Sequence, residues 1–451
     1  MTATEARAVA RSAAYQALLD DDSRTVPATY RIDSPMGPGA LRVPVERYVS
    51  PAFHQLEVQK LWKHVWQMAC REEQLPEVGD HVNYEIAGIE IIVVRSAPGV
   101  LKAYRNVCLH RGRQLKEFDG RDEELRCSFH GIAWNLDGTL KQLPCKWDFP
   151  HVEAETWSLP EAQVGTWGGF VFVNPDLDAA PLAEHLEGLT EQFVDWPLEE
   201  RYQEAHVGKV LRCNWKLAQE AFMESYHVVA THPQLLAGMG DTISQYDAFK
   251  NFARAFTPNG VTSEHLRWQP TEQDMIDALT DRGLDEPEPR MTVPEGATAR
   301  RFLADVRRGN LVPQLGQERA DALSDAEMND SLVYAVFPNF HPWGSYNRIV
   351  YRFRPWKNRH DRCLMECMIL SPFAGERPPP ARFHFLDEDD DWTEAHELGL
   401  LSRVFNQDVY NLPKVQVGLE SGSLENVTFA EYQETKIRLH HVLLEEWLSR
   451  D

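Results

Sequence analysis

The sequence predicts an α+β fold in two units, an all-β unit followed by a larger mixed unit. Two observations lead to this. Apolar runs with a period of two, bounded by Gly, Pro and Asn, fill residues 71–176 and are typical of short strands. From residue 177 onward, strand-like runs are mixed with longer runs that have helical spacing. We therefore expect an N-terminal arm at 1–70, a strand-rich unit at 71–176 and a mixed unit at 177–451.

Each element has its own signal in the sequence. The Ala-rich stretch up to Leu19 favours a helix, which the acidic triplet at 20–22 should end. Strands are expected at 82–86, 90–94, 169–173, 332–337, 348–353 and 364–370. The remaining predicted elements are loops at 280–300 and 378–380 and a final helix at 429–448.

Two short boxes carry the strongest chemical signal. Cys108 and His110 form the first, Cys127 and His130 form the second, and sixteen residues separate the boxes. Two cysteines and two histidines are the ligands of a Rieske-type [2Fe-2S] cluster, in which imidazole replaces thiolate on one iron. A structural zinc site uses the same residue types, but usually as Cys-x2-Cys or His-x3-5-His pairs, which neither box contains. Because nearby glycines let two loops close over a cluster, the pattern favours the cluster.

A second metal site is indicated about a hundred residues later. Residues 214–227 lack Pro and Gly and are rich in helix formers, which predicts a helix. Glu220, Glu224 and His227 have i, i+4, i+7 spacing and would share one face. His232 follows just before a proline, where the chain should leave the helix. Taken alone these could be ordinary histidines, but they match two ligands of the two-His, one-carboxylate set that binds non-haem Fe(II).

The third ligand of such a set should be a carboxylate far along the chain. The candidates are the acidic run at 387–391, Asp408 and Glu420. The acidic run is most simply a solvated surface or a helix start. Asp408 lies in an amphipathic pattern at 400–410, and an acid near a buried stripe needs a partner, which a metal would supply. The residues alone leave this choice open.

With these motifs the chain resembles the large (α) subunit of the Rieske non-haem iron oxygenases, the ring-hydroxylating oxygenase family. The resemblance runs from about Tyr48 to the C-terminal helix. Besides the two boxes, it rests on Tyr48-Val49-Ser50-Pro51, residues 168–175, Asn214-Trp215-Lys216, Gln407-Asp408 and residues 416–419. It implies an all-β Rieske domain and a catalytic domain of the helix-grip (START-like) kind, whose central antiparallel sheet is covered by helices.

The resemblance also implies a role for each site residue. The cluster ligands would be Cys108, His110, Cys127 and His130. The ligands of the mononuclear iron would be His227, His232 and Asp408. Glu224 occupies the position of a catalytic acid that, in the family, links an iron histidine to a cluster histidine of the next subunit, and His130 would be that partner.

Some positions depart from the family's usual residues. Most members carry Asp at the position of Glu224, and the longer side chain resembles the carnitine monooxygenase branch. Ala221 stands where aromatic-ring dioxygenases often carry Asn, and Ser128-Phe129 replaces the usual Pro-Tyr of the second box. Hydroxylation of a non-aromatic substrate therefore stays open.

The resemblance implies the terminal component of an oxygenase. With one [2Fe-2S] cluster and one mononuclear Fe(II), it would use O₂ and NAD(P)H-derived electrons from a reductase or ferredoxin to hydroxylate a small apolar or aromatic substrate. The alternative is a monooxygenase that acts on a quaternary amine or performs oxidative N- or O-demethylation. A non-catalytic electron-transfer protein would not need His227 and His232. The working unit is expected to be a homotrimer, whereas the substrate, the electron donor and any small β subunit stay open.

The composition is consistent with such an enzyme. The net charge is −23, from 46 basic and 69 acidic residues, which makes nucleic acid an implausible partner and suits docking to a basic surface on a reductase. The sequence contains no run of 18 apolar residues, so no membrane-spanning helix is expected. Its N-terminus lacks the basic-then-apolar pattern of a secretion signal. The chain has seven cysteines, of which two lie in the boxes. The other five are expected to be reduced thiols in a cytoplasm.

Overall fold

The computed structural model describes residues 3–34, 37, 39–280 and 290–450. Of the loop predicted at 280–300, residues 281–289 lie outside the described residues. The α-helices are α1 (Ala3–Asp20), α2 (Glu46–Val49), α3 (Pro51–Glu57), α4 (Leu182–His185), α5 (Trp215–Glu220), α6 (Val228–Thr231), α7 (Glu272–Leu279), α8 (Ala299–Leu315), α9 (Gln317–Ala322), α10 (Asp325–Asn329), α11 (Leu400–Glu420) and α12 (Thr435–Leu448).

The strands follow in chain order. They are β1 (Arg42–Pro44), β2 (Gln67–Arg71), β3 (Asp80–Ile86), β4 (Ile89–Ala97), β5 (Val100–Arg105), β6 (Gly120–Arg121), β7 (Leu125–Arg126), β8 (Ala133–Trp134), β9 (Leu140–Gln142), β10 (Glu161–Trp167), β11 (Phe170–Asn174), β12 (Arg201–Leu211), β13 (Gln245–Ala248), β14 (Phe252–Thr257), β15 (Ser331–Val336), β16 (Phe340–Pro342), β17 (Ile349–Pro355), β18 (Cys363–Pro372), β19 (His384–Leu386) and β20 (Asn426–Thr428).

The chain divides into two compact units. The smaller unit is built from Pro51–Leu186 and Arg354–Arg359, and the larger from the residues up to Ser50, Glu187–Phe353 and His360–Ser449. The functional boundaries that we expect at residues 70 and 176 stay predictions, because compactness alone assigns no function.

The smaller unit is an all-β structure. Its main sheet has the strand order β2-β11-β10-β5-β4-β3-β6, and a second sheet has the order β7-β8-β9. A buried apolar cluster that includes Ile92, Val94, Leu125 and Trp134 fills its interior. Each box begins just after a strand, the first after β5 and the second after β7. The strands therefore present both boxes from a rigid, well-packed base.

The larger unit is built on one long, mainly antiparallel sheet. Its strand order is β13-β14-β15-β16-β17-β18-β12-β19, and β12 pairs antiparallel with β18 and parallel with β19. Helices cover this sheet, because α5 contacts β18, α11 contacts β12, and α12 contacts β13 and β14. The predicted fold class, an all-β unit plus a mixed unit with a helix-covered antiparallel sheet, is confirmed.

Most predicted elements lie within a few residues of the observed ones. The strands expected at 332–337, 348–353 and 364–370 are β15, β17 and β18, and the first helix ends at Asp20 as the acidic triplet predicts. The last helix begins at Thr435, later than predicted, after a turn in which the Thr435 hydroxyl donates to the carbonyl of Tyr432. Among the described residues, no helix combines the length and the apolar character that crossing a membrane requires.

One core position of the larger unit carries a cationic side chain. Lys436 on α12 is 1% exposed, and its apolar neighbours Met223, Phe337 and Leu439 line a small cavity with it. Its Nζ donates a hydrogen bond to the Val333 carbonyl oxygen at 3.2 Å. Burial lowers the pKa of Lys436 to about 7, from an ordinary value of 10.5.

Replacing Lys436 with methionine is expected to stabilise the larger unit at neutral pH. Between pH 7 and 10.5 the unfolded chain holds a proton at Lys436 that the folded chain releases, so the parent's free energy of unfolding rises with pH in that window. Methionine removes this cost at the loss of one hydrogen bond, a net gain on the order of 3 kcal/mol at pH 7. Urea unfolding should show the gain shrinking by about pH 9.5.

The exposed Lys414 supplies the matched control. Lys414→Met deletes the same charge from the surface and should leave the free energy of unfolding within about 0.5 kcal/mol of the parent at both pH values. An equal stability difference between parent and Lys436→Met at both pH values would contradict a buried amine with a lowered pKa.

Candidate metal centres

The two boxes of the smaller unit form loops with matching backbone hydrogen bonds. In the first, the Cys108 amide donates to the Arg113 carbonyl at 2.7 Å and the Gly112 amide donates to the Cys108 carbonyl at 2.9 Å. In the second, the Cys127 amide donates to the Ile132 carbonyl at 2.8 Å and the Gly131 amide to the Cys127 carbonyl at 3.0 Å.

The glycine of each loop makes this turn possible. Gly112 and Gly131 both have φ of +75°, a conformation that is costly for residues with a Cβ. Each lies four residues after the cysteine of its box, so the cysteine and the glycine hold equivalent positions, whereas the histidine follows its cysteine by two residues in the first loop and by three in the second. The two boxes, which are similar in sequence, therefore also fold into loops with the same backbone hydrogen bonds.

The four side chains of the boxes come together at one end of the smaller unit. Cys108 and Cys127 are 2% and 1% exposed and belong to the apolar core. The rings of His110 and His130 approach edge to face, with 3.2 Å between their Nδ1 atoms, and the His130 ring is exposed. The sulfur side is thus buried, and the imidazole side reaches the surface.

These residues fit a [2Fe-2S] cluster. Burial and the neighbouring Cys127 thiol raise the pKa of the Cys108 thiol above its ordinary value, while the backbone amides of His110 and Arg111 act in the opposite direction. Those amides would donate hydrogen bonds to the sulfur of a metal-bound thiolate. The two Nδ1 atoms face one another at the other side, as donors to a shared group would.

The predicted continuous helix at 214–227 is wrong. Helix α5 ends at Glu220, residues 221–227 form turns, and the short helix α6 begins at Val228. Side-chain bonds compete with the helix here, since Glu224 accepts from the His227 amide at 2.9 Å and Ser225 contacts the hydroxyl groups of Ser244 and Tyr246. Glu220, Glu224 and His227 therefore do not share a helix face.

Glu224 instead holds His227 with both carboxylate oxygens. Its Oε2 accepts from the His227 amide, and its Oε1 lies 2.7 Å from the His227 Nδ1 atom. Burial lowers the pKa of His227, but the hydrogen bond to Glu224 and the charges of Glu224 and Asp408 outweigh it and raise the pKa. Because the carboxylate occupies Nδ1, the Nε2 atom is left to face the interior.

Three predicted ligands meet at one point of the larger unit. The nearest donor atoms of His227, His232 and Asp408 all lie within 4.8 Å of one another. Asp408 Oδ1 lies 2.9 Å from His232 Nε2 and 3.6 Å from His227 Nε2. Two imidazoles and one carboxylate in a compact group suit a non-haem Fe(II), and positions opposite this group would remain for other ligands.

The competing carboxylates lie elsewhere in the fold. Asp391 caps a short helical turn by accepting from the Thr393 amide at 2.8 Å. Glu420 accepts a hydrogen bond from Gln416 at 2.8 Å, at the far end of α11 from Asp408. Of the candidates, the structure brings Asp408 to the two histidines.

Glu220 belongs to a different buried network. The Tyr48 hydroxyl lies 3.1 Å from both Glu220 carboxylate oxygens, and His441 Nε2 lies 3.0 Å from Oε1. Burial raises the pKa of Glu220 to about 8. This network ties α2, α5 and α12 together and leaves Glu220 outside the three-residue group.

An aromatic wall is built from β17 and from the two segments that carry His227 and Asp408. Phe222, from the segment that precedes His227, packs against Tyr351 and Phe353 of β17 with ring centroids 5.1 and 5.3 Å away. Phe405, one turn before Asp408 on α11, lies 6.0 Å from Phe222 and 5.8 Å from Tyr351. Aromatic contacts therefore join β17 to the segment before His227 and to the helix of Asp408.

Some side chains that support the group have no signal of their own in the sequence. Gln407 was notable only as part of the Gln407-Asp408 pair, yet its Oε1 lies 2.7 Å from His232 Nδ1. Its position directly before the candidate ligand Asp408 is the one feature of the sequence that could have indicated a role for Gln407.

Both units match known protein families. Residues 194–450 match the family model described as the ring hydroxylating alpha subunit (catalytic domain). Residues 65–153 match the Rieske [2Fe-2S] domain.

Individual relatives cover less of the chain. The chain is 31% identical over 210 residues to the chlorobenzene dioxygenase α subunit of Cupriavidus sp. (strain PS12), which covers 44% of this chain and 46% of that protein. It is 27% identical over 212 residues to the carnitine monooxygenase oxygenase subunit of Escherichia coli (strain K12). That aligned region covers 45% of this chain and 54% of that protein. The chain thus spans about half the length of the curated relatives it matches.

The fold has a solved counterpart as well. A quaternary ammonium Rieske monooxygenase structure superposes with a TM-score of 0.64 over 94% of this chain and 99% of that one, at 17% identity, which is a likeness in fold alone. Because a catalytic-domain model covers more than half of the sequence and a cluster-domain model precedes it, the chain belongs to the ring-hydroxylating α-subunit family and carries a Rieske [2Fe-2S] domain ahead of a catalytic domain of the kind that binds mononuclear iron.

Proposed function

We propose that this protein is the terminal oxygenase component of a multicomponent system that hydroxylates a small, mainly apolar or aromatic substrate with O₂. The observation that carries the proposal is the meeting of His227, His232 and Asp408 in a chain that also holds two matching Cys/His loops. A cluster that moves single electrons and an iron site with open positions are the two parts that reductive O₂ activation needs. Electrons would come from a reductase or ferredoxin.

In this proposal each site residue has a defined part. Cys108, His110, Cys127 and His130 would hold the [2Fe-2S] cluster, and His227, His232 and Asp408 would hold the mononuclear iron. When bound, these groups supply electron transfer and O₂ activation. Glu224 orients His227 by accepting from its Nδ1 atom, which keeps Nε2 free for a metal.

The aromatic wall would define the substrate side of the site. The Phe222 and Phe405 side chains are entirely apolar, and Tyr351 is 3% exposed, so these rings would give the site an apolar side. Apolar walls with few polar groups are typical of sites for small organic molecules. A substrate placed against these rings would present a carbon atom toward the open side of the three-residue group.

A homotrimer is the expected working unit. Heterologous contacts between identical chains close naturally into rings. The exposed His130 ring of one copy would then donate to Glu224 of the next, since both carboxylate oxygens keep a lone pair beyond the bonds that they make to His227.

Replacing Glu224 with glutamine is expected to slow electron transfer from the cluster to the iron by about tenfold or more while both metals stay bound. Glutamine keeps the size and an accepting oxygen for His227 but removes the charge that would link two copies. Rapid mixing of the reduced, substrate-bound protein with O₂ would follow cluster reoxidation by its visible absorbance.

The control for this variant is Glu420→Gln, which deletes a carboxylate of the same helix that carries Asp408 but lies at its far end. It should reoxidise at the parent's rate. Reoxidation of Glu224→Gln as fast as the parent, or a fully active monomer, would contradict the proposed route between copies.

A second candidate function is oxidation of a quaternary amine. Glu224 in place of the usual Asp favours it, and so does the aromatic wall, because ring faces attract cations that lack hydrogen-bond donors. The carnitine monooxygenase relative belongs to this class of reaction by name.

Product analysis separates the two candidates. The protein would be reconstituted anaerobically with iron and a generic reductase, given chlorinated benzenes, biphenyl, carnitine or choline, and then exposed to air. Ring dihydroxylation yields a diol. Hydroxylation of a carbon bonded to the quaternary nitrogen releases a smaller amine and a carbonyl compound, and oxidation of the choline alcohol carbon yields an aldehyde. A fully loaded protein whose reduced cluster is not reoxidised faster with any of these substrates would contradict both.

A further inference from the structure

The imidazole of His232 is held at both of its ring nitrogens by consecutive residues of α11. Asp408 Oδ1 lies 2.9 Å from His232 Nε2, and Gln407 Oε1 lies 2.7 Å from His232 Nδ1. His232 is 3% exposed, so few other partners can reach its ring. Two neighbouring side chains of α11 therefore orient the ring of a histidine that lies 175 positions before Gln407 in the chain.

The hydrogen bond to Gln407 requires a proton on the Nδ1 atom of His232. An amide oxygen only accepts, so the His232 Nδ1 atom must donate to Gln407. The side-chain amide of Gln234 donates to the same Gln407 oxygen at 2.8 Å, which keeps that oxygen turned toward His232. Nε2 lies 2.9 Å from Asp408 Oδ1, so it is the nitrogen that would exchange a proton for a metal held by the three-residue group, while Nδ1 keeps its proton.

The two site histidines are positioned by chemically different acceptors. His227 has a carboxylate, Glu224, three residues before it in the same turn. His232 has a neutral amide from a distant helix, and both lone pairs of that amide oxygen are occupied by the bonds from His232 and Gln234. The bond from Gln234 to Gln407 also links the turn at 233–235, which follows His232, to α11, which carries Asp408.

We propose that Gln407 is a positioning residue that fixes the tautomer and ring plane of His232, with Gln234 holding Gln407 in place. The inference rests on the proposed function, in which His232 Nε2 binds the mononuclear iron. Without an acceptor at Nδ1 the ring can carry its proton on either nitrogen and can rotate by half a turn, and each alternative withdraws Nε2 from the metal.

The test measures Fe(II) affinity rather than turnover. The mononuclear iron would be removed with a chelator under conditions that leave the cluster absorbance unchanged, and Fe(II) would be titrated back against a competing chelator. Gln407→Leu removes the acceptor and is expected to weaken Fe(II) binding by about 10- to 100-fold. Gln407→Glu keeps an accepting oxygen and should bind within about threefold of the parent.

A spectroscopic readout accompanies the titration. Nitric oxide added to the Fe(II) protein with an oxidised cluster gives an electron-spin signal whose shape depends on how the ligands are oriented. The signal of Gln407→Leu should differ from that of the parent, and the signal of Gln407→Glu should stay closer to it. A purely structural role for Gln407 would lower stability without changing the signal of the iron that remains bound.

Three further variants serve as controls. Gln416→Leu makes the same chemical change two turns along α11, where the side chain bonds the Asn214 amide rather than a site histidine, and should leave Fe(II) affinity unchanged. Gln234→Leu removes only the bond that supports Gln407 and should have an intermediate effect. If Gln407→Leu does not fold, Gln407→Asn retains the amide on a side chain too short to reach His232 and should weaken binding similarly.

Two kinds of outcome are distinguishable. If the parent and Gln407→Leu bind Fe(II) equally well with the same electron-spin signal, or if Gln416→Leu loses as much affinity, the inference is overturned while the proposed iron site stands. If the parent binds no iron at this site, or if His232→Ala binds it as tightly as the parent, the proposed function fails first.

Discussion

Replacing Asp408 with alanine is expected to empty the mononuclear iron site and abolish substrate oxidation while the [2Fe-2S] cluster remains. Its Oδ1 is the atom that both site histidines approach, at 2.9 Å from His232 Nε2 and 3.6 Å from His227 Nε2. Losing one of three protein ligands removes the only anionic donor of the group, which should weaken Fe(II) binding by at least 100-fold. Iron analysis should then fall from three irons per chain to the two of the cluster.

The same experiment decides between the acids that the sequence offers. Asp391→Ala and Glu420→Ala remove carboxylates that cap a turn and bond Gln416, respectively, and both variants should keep three irons and full turnover. His227→Ala should behave like Asp408→Ala. If Asp408→Ala retained the third iron and its activity, the assignment of this carboxylate would be wrong, and the iron-binding acid would have to be sought among the controls.

The cluster loops were predictable from the sequence because all of their information is local. Each box places a cysteine, a histidine and a glycine within five residues, and the backbone bonds that shape each loop stay within six residues, 108–113 and 127–132. A pattern of that kind needs no knowledge of the rest of the fold.

The iron site was predictable only in part, because its third member comes from a distant element. Nothing near His232 in the sequence indicates that α11, 176 positions later, will pack beside it. The amphipathic pattern around Asp408 showed that an acid sits near a buried stripe, but Glu420 lies on the same helix. Only the resemblance singled out Asp408, and the folded chain brings it to the histidines.

The helix predicted across residues 214–227 shows where propensity fails. Those residues favour a helix individually, yet Glu224 and Ser225 bond local and tertiary partners and end α5 at Glu220. Had the helix continued, Glu224 would have been committed to a helix face and unable to wrap around His227. The departure from helical geometry therefore lets Glu224 support His227.

Replacing Cys127 with serine is expected to remove the cluster outright, with loss of the brown colour and of the electron-spin signal of the reduced protein. Serine keeps the size of the side chain, but its hydroxyl is not ionised at neutral pH and is a poor ligand for a cluster held by thiolates. Because Cys127 is 1% exposed and packs in the core of the smaller unit, no neighbouring solvent-exposed thiol can take its place without moving the loop.

Cys145 supplies the control for that variant, since it is an exposed free cysteine of the same unit. Cys145→Ser should keep the full visible spectrum and two cluster irons, and Cys127→Ser should still bind iron at His227, His232 and Asp408, since those residues belong to the larger unit. Loss of turnover in Cys127→Ser with the mononuclear iron present would then separate electron supply from O₂ chemistry. A visible spectrum that survives Cys127→Ser would rule out this cysteine as a ligand. The interpretation of the two loops as one cluster site would then also be wrong.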